Sequence, residues 1–211
     1  MTTIGIFGTS GLAHEVGDVA DALGLTPVFI ARDAAARDAW AGADDVIVED
    51  DAVRLSGAAF VIGIGAPAVR AAIARRHGAT LRFATLIHPA ASFGRGQRAA
   101  VAARAGVVVF AGARLSNTID VGDFCLINPN ATIGHDVTIG RYVTICPGAT
   151  ISGNVRIGNE AWIGAGAVIN QGTPERPLSI GTSAVIGSGA VVVHDCDAGG
   201  VYAGVPARKR L

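Results

Sequence analysis

Ile127-Asn-Pro-Asn-Ala-Thr-Ile133-Gly-His-Asp-Val-Thr-Ile139-Gly-Arg-Tyr-Val-Thr-Ile145 carries an isoleucine at every sixth residue. The same step runs back through Val121, Leu115 and Val109 and forward through Ile151, Ile157, Ile163 and Ile169 without a failure. Four residues after most of these stands a second small or aliphatic side chain, as in Cys125, Ala131, Val137, Val143 and Ala149. One residue after them is often glycine: Gly122, Gly134, Gly140, Gly158, Gly164. A six-residue unit is too short for a helical repeat. It holds one short extended stretch and a corner, where glycine takes positive φ without penalty. Stacked units make a parallel β-solenoid in which each aliphatic residue points inward, about 4.8 Å from its counterpart in the next coil. Three units close a triangular coil of about eighteen residues. The register slips once, between Ile169 and Ile180, so Thr173-Pro-Glu-Arg-Pro-Leu-Ser179 reads as a loop inserted into a coil before Ile180, Ile186 and Val192 resume the period.

Composition fits this reading. Half of the 211 residues are hydrophobic but only 5% are aromatic, and 29 are glycine. A narrow prism has no room for many rings, which accounts for the aromatic shortage. The mean hydropathy of +0.45 raises the possibility of a membrane protein, but every apolar run is broken well short of the roughly 18 to 20 residues a spanning helix needs. Met1-Thr-Thr-Ile-Gly-Ile-Phe7 has no basic region ahead of its apolar residues, so a cytoplasmic protein is expected. Cys125, Cys146 and Cys196 are odd in number and show no CxxC spacing, which points to buried reduced thiols rather than a disulfide framework or a zinc cage. Seventeen basic residues balance seventeen acidic ones, so nucleic acid is not expected as the main partner. The locally basic Arg208-Lys209-Arg210 reads as a solvated tail.

Residues 1–86 lack the period and form a different domain, an α/β unit ahead of the β-helix of 87–211. Strands are expected at Ile4–Phe7, Pro27–Ile30, Asp45–Val48 and Phe60–Ile64, with helices at Ala13–Leu23 and Ala68–His77. Strands alternating with helices make a small parallel Rossmann-like sheet. Ligands of such sheets bind at the carboxyl ends of the strands, where Gly8-Thr-Ser-Gly11 and Gly65 fall. That glycine-rich turn is either a bare strand-to-helix connection or an anion or sugar-nucleotide site at a helix N-terminus. Residues from Ile87 to about 108 join the two parts.

Gly8-Thr-Ser-Gly11, Ile64-Gly65, Ile87-His-Pro-Ala90, Ile127-Asn128, Ile133-Gly-His-Asp136, Pro147-Gly-Ala149, Ser152-Gly-Asn154, Ile163-Gly-Ala-Gly166 and Gly204-Val-Pro-Ala-Arg208 together resemble the bacterial sugar acetyltransferases that carry a sugar-nucleotide-binding α/β domain before a left-handed β-helix. That group includes the bacillosamine-type amino-sugar N-acetyltransferases and the sialic acid O-acetyltransferases. The left hand comes from the resemblance, since crossover rules for parallel strands favour the right. The resemblance makes His135 the general base that removes a proton as an acceptor amine attacks acetyl-CoA directly, and Asp136 the acidic neighbour that makes it more basic. It implies that Ser10, Gly11, Leu12 and Gly65 contact the nucleotide sugar and that Asn128 orients the acceptor. Gly153, Ala165, Gly187 and Ser188 would lie along acetyl-CoA. It also implies a homotrimer with active sites between subunits, and no metal.

Three positions depart from the family pattern. Thr144 stands where many members have a second His on the acetyl-CoA side; its hydroxyl can donate a hydrogen bond but carries no titrating charge. Ala31-Arg32, with Asp33 one place on, replaces an Asp-Asp pair, so the base or ribose contact differs. Ala66-Pro67 replaces a common polar pair. The expected activity is acetylation of the amino group of a nucleotide-linked 4-amino-4,6-dideoxy sugar in surface-glycan synthesis. Its alternatives are O-acetylation of sialic acid or a related sugar, transfer of a larger acyl group, and a non-catalytic solenoid scaffold. A zinc-dependent β-helix hydratase needs three imidazoles around its metal, and only His135 lies inside the regular repeat.

Overall fold

The computed structural model describes residues 2–210 apart from positions 41, 43 and 56. Its first part is a four-stranded parallel sheet of β1 (Thr2–Phe7), β2 (Leu25–Ala31), β3 (Val46–Val48) and β4 (Ala59–Ile62), in the order β3-β2-β1-β4. Helices α1 (Gly11–Ala22), α2 (Ala34–Asp38) and α3 (Pro67–His77) connect or follow these strands. The expected strands and longer helices all form, each within a few residues of its reading. The short α2 had no sequence expectation, because five residues are too few to show a helical period. It is started by Asp33, whose carboxylate accepts the Ala36 N–H at 2.7 Å.

From Leu86 onward the chain winds into a left-handed parallel β-helix with three faces. One face stacks Val108–Val109, Leu126–Ile127, Thr144–Ile145, Trp162–Ile163 and Val185–Ile186. A second stacks Arg114–Leu115, Thr132–Ile133, Thr150–Ile151 and Val168–Ile169. The third stacks Ile119–Val121, Val137–Ile139, Val155–Ile157 and Leu178–Ile180. The α/β unit sits on the first face, which is called the docking face below. As expected from the period, Ile127 lies over Ile145, Ile133 over Ile151 and Ile139 over Ile157, and all six are buried. The slip is absorbed where Ile157 pairs Ile180; the inserted residues loop out through a turn in which Thr173 and Arg176 exchange backbone hydrogen bonds.

Residues 87–108 do more than join the two parts. Leu86–Ile87 and Ser92–Phe93 already pair with Val108–Val109 and Arg114–Leu115, and α4 (Gln97–Ala102) closes this first coil in place of the third-face strand. At the other end Arg208–Lys209 pairs antiparallel with Tyr202–Ala203, so the basic tail is a strand. Rings are absent from the middle of the prism and stand at inward positions only at its ends, Phe93 over Leu115 and Tyr202 over Ile186; between the two parts Phe124 stacks on Tyr142 and meets Phe83 edge-on.

The corners differ from the expectation. The left-handed residue of each corner comes three places after the inward aliphatic, and many are not glycine: Thr118, Phe124, Asn130, Asp136, Tyr142, Asn154 and Glu160 all have φ between 56° and 61°. Left-handed backbone costs roughly 1–2 kcal/mol for such residues. The corner is held by a hydrogen bond to the previous coil, as from Asp136 N to Asn117 O and from Asn154 N to His135 O. The glycines one place after the aliphatic have no positive φ; they are glycine because the next coil is too close. A Cβ on Gly164 would lie 2.5 Å from the Ser188 backbone N. By contrast Gly148, at φ 67°, has open space around its Cβ position. Gly164→Ala is therefore expected to cost about 1–3 kcal/mol by pushing two coils apart, whereas Gly148→Ala is expected to cost only about 1 kcal/mol in backbone strain. Urea unfolding of the two variants checks the order.

Candidate active site

His135 follows Ile133-Gly134, where the chain leaves the second face for the third, so its side chain points out of the prism; it is 57% exposed. Asp136 is the left-handed residue of that corner, and its carboxylate turns back onto the preceding imidazole, with His135 Nδ1 to Asp136 Oδ2 at 2.6 Å. One coil on, Gly153 lies against the ring: a Cβ there would be 2.6 Å from the His135 Cε1. Beside this corner a groove of about 600 Å3 runs along the third face, walled by Asp120, Thr138, Arg156, Asn154 and the inserted loop at Pro174 and Pro177.

The residues expected to bind sugar nucleotide gather elsewhere. Gly8, at φ 126°, ends β1 in a conformation that suits glycine, with Gly63 O 2.9 Å from where a Cβ would be. Ser10 is the N-cap of α1, and its hydroxyl makes no capping bond. Gly11 and Leu12 open the helix behind it, and Gly65 lies just past β4. A cavity of about 310 Å3 opens at the carboxyl ends of β1 and β2, lined by Gly8, Thr9, Ser10, Ile30, Ile64 and Ile73, with Arg32 and Glu49 as its charged side chains. Asp33 is committed elsewhere: the Ala36 N–H and Arg32 Nε donate to its carboxylate and hold it below the usual carboxylate range. Glu49 was missed in the sequence because it follows a three-residue strand with no motif around it. Burial pushes its carboxyl up, but hydrogen bonds from His77 at 2.8 Å and Arg76 at 2.5 Å outweigh this and lower it.

A third group occupies the corner between the docking and second faces. Ala165, Gly187 and Ser188 lie there on successive coils, and Gly189 N donates to Ala165 O at 2.9 Å. Asn128 begins the same corner two coils earlier, buried, with Nδ2 donating to Ile145 O. Thr144 is 2% exposed, and its hydroxyl donates to Gly65 O at 2.8 Å, in the seam between the two parts. All three cysteines are free and buried; burial pushes the Cys125 thiol up to about 12.

Arg70, on α3, had no sequence signal, standing in an alanine-rich helix beside two other arginines. It is fully buried in the seam. Burial lowers its pKa to about 10, well above neutral pH. Among the described residues no three His, Cys, Asp or Glu side chains gather as a metal site, and no helix is long and apolar enough to cross a membrane.

Residues 118–153 match the family model described as bacterial transferase hexapeptide, six repeats. No curated protein matches the chain. Among solved structures, WeeI from Acinetobacter baumannii AYE superposes with a TM-score of 0.87 at 29% identity over 100% of both chains. The acetyltransferase domain of PglB from Neisseria gonorrhoeae FA1090 does so with 0.86 at 28% identity, also over 100% of both. PerB from Caulobacter crescentus, in complex with CoA and GDP-perosamine, reaches 0.84 at 26% identity over 100% of this chain and 98% of its own. The likeness runs through the α/β part and the β-helix alike: the chain is an acyltransferase that carries hexapeptide repeats and is similar over its whole length to bacterial sugar acetyltransferases of the same two-part architecture.

Proposed function

We propose that the protein transfers the acetyl group of acetyl-CoA to the amino group of a nucleotide-linked 4-amino-4,6-dideoxy sugar, with His135 as general base and each active site shared by neighbouring copies in a trimer. The observation that carries this reading is the coexistence of an exposed His135–Asp136 pair and a strand-end cavity on one chain, on opposite sides of the prism. The cavity lies over the docking face, and His135 is at the corner opposite that face. A single copy would hold the nucleotide on the opposite side of the prism from its own imidazole, which supports a site completed by a second copy.

In the cavity, the free N–H groups at the start of α1 and the Arg32 guanidinium suit a diphosphate, and the apolar walls suit the rest of the nucleotide. At the prism corner, Nδ1 is engaged by Asp136, which leaves His135 Nε2 to take the proton. The neutral acceptor amine attacks the thioester carbonyl and gives up its proton to Nε2. The tetrahedral intermediate then expels the CoA thiolate, which recovers that proton, and the amide remains on the sugar. The Gly153 N–H, beneath the ring, is suited to stabilise the transient oxyanion. The small side chains of Ala165, Gly187 and Ser188 leave a smooth track for the arm of acetyl-CoA.

CoA thiol release is the assay, with a panel of GDP-, UDP- and dTDP-linked 4-amino-4,6-dideoxyhexoses and free sialic acid. Turnover with an amino sugar is expected; turnover with sialic acid alone would replace N-acetylation by O-acetylation. Mixing tests the shared site. A His135→Ala chain and a chain whose cavity is blocked by Gly8→Val are each expected to be inactive alone. Co-refolded in equal amounts, they should recover about a quarter of wild-type turnover, the chance that an interface takes its imidazole from one variant and its cavity from the other. No recovery would mean that each copy acts by itself.

A further inference from the structure

All five N–H groups of the Arg70 guanidinium are used, and every acceptor is a backbone carbonyl. Nε donates to Phe124 O at 3.0 Å; Nη1 to Ile64 O at 2.9 Å and Gly65 O at 2.6 Å; Nη2 to Tyr142 O at 2.6 Å and Val143 O at 3.2 Å. No carboxylate pairs with it among the described residues. A buried cation is tolerated only when its hydrogen bonds are satisfied, and here that requires two parts of the molecule to stand in one fixed relation. Ile64 lines the strand-end cavity and Gly65 follows it, in the stretch between β4 and α3. Phe124, Tyr142 and Val143 are corner residues of two successive coils of the prism. A planar fork with five fixed donors is geometrically demanding in a way that apolar contact across the same seam is not.

We infer that Arg70 is a positioning residue for acyl transfer: by tying the cavity rim to the prism it sets where a nucleotide-held amine arrives at a neighbouring copy's His135. The inference rests on the reading that the cavity holds the nucleotide and that the site is shared. Under that reading the docking angle of the α/β part is repeated around the oligomer, and a small rotation about the seam displaces the amine in proportion to the full reach of the nucleotide sugar. A misplacement of about 1 Å costs on the order of a hundredfold in rate. The Thr144 hydroxyl on Gly65 O is a second tie to the same segment, one residue past the cavity wall at Ile64.

The test compares Arg70→Lys and Arg70→Met with wild type in three measurements. These are acetylation of the best nucleotide-linked amino sugar of the panel, acetylation of the methyl glycoside of 4-amino-4,6-dideoxyglucose at high concentration, and binding of the matching nucleoside diphosphate by calorimetry. Lysine keeps the charge but not the fork, so both variants are expected to lose at least tenfold in kcat with the nucleotide-linked acceptor. Turnover of the glycoside, which needs only the prism, and binding of the diphosphate, which needs only the cavity, should stay within about twofold. Wild-type kcat in either folded variant would overturn the inference. So would a parallel fall in all three measurements, which marks a merely structural residue; Arg70→Lys retains the buried charge and decides the matter if Arg70→Met does not fold. A wild-type protein that acetylates no nucleotide-linked amino sugar would instead overturn the function on which the inference rests.

Discussion

His135→Ala is expected to lower turnover of the nucleotide-linked acceptor by about 10²- to 10⁴-fold, the contribution of a positioned general base, while leaving the fold intact. The side chain is exposed at a corner, its removal opens no cavity, and the backbone it leaves is held by the Asn154 N to His135 O bond. Circular dichroism and the unfolding midpoint should therefore match wild type. Asp136→Asn separates orientation from basicity. The amide can still accept from Nδ1–H, but it supplies no negative charge to stabilise the imidazolium, so a smaller loss than for His135→Ala is expected. Thiol release measured in single turnover checks both variants. Retention of more than a tenth of wild-type turnover in His135→Ala would remove the imidazole from the mechanism.

Ile145→Ala carries the largest expected effect on stability, about 2–5 kcal/mol. Ile145 is fully buried between Ile127 in the coil before and Ile163 in the coil after. Removing three carbons from the middle of that stack costs their transfer free energy and leaves a void which stiff neighbouring coils cannot close. Because each coil of a solenoid is stabilised by its neighbours, the loss affects two interfaces at once. Ile145→Val, one methylene smaller, should cost only about 0.5–1.5 kcal/mol. Denaturant unfolding of the pair reads both values. Equal midpoints for the two variants would mean that this ladder position is not close-packed.

How legible the site was in the sequence depended on how local its causes were. His135 stood out because two residues after an inward isoleucine the side chain faces out, and that follows from the repeat alone. The His135–Asp136 contact is between chain neighbours and needs only the corner between them. Glu49 was not legible, because what brings it to the cavity is the order β3-β2-β1-β4, which no local pattern encodes. Thr144 reads as a cofactor contact in the line of the chain, yet its hydroxyl lies in the seam on Gly65 O, seventy-nine residues away in sequence. The glycines one place after the aliphatic show the same limit: their spacing was plain, but their cause is the backbone of the next coil rather than their own dihedrals.

The prism is legible in the sequence, because a period of six with aliphatic residues at each step can bury its apolar face only by stacking coil on coil. Legible there as well are a separate parallel α/β unit that comes first and one imidazole that leaves the repeat toward solvent. Where that α/β unit sits is set by long-range packing. It covers one face of the prism and so puts the cavity opposite the chain's own His135, and a buried arginine with five carbonyl partners holds it there. The stacking energy of the prism is written at short, regular spacing, whereas the seam is written in contacts between residues forty to eighty positions apart, such as Phe83 with Phe124 and Thr144 with Gly65, whose partners exist only after both parts have folded.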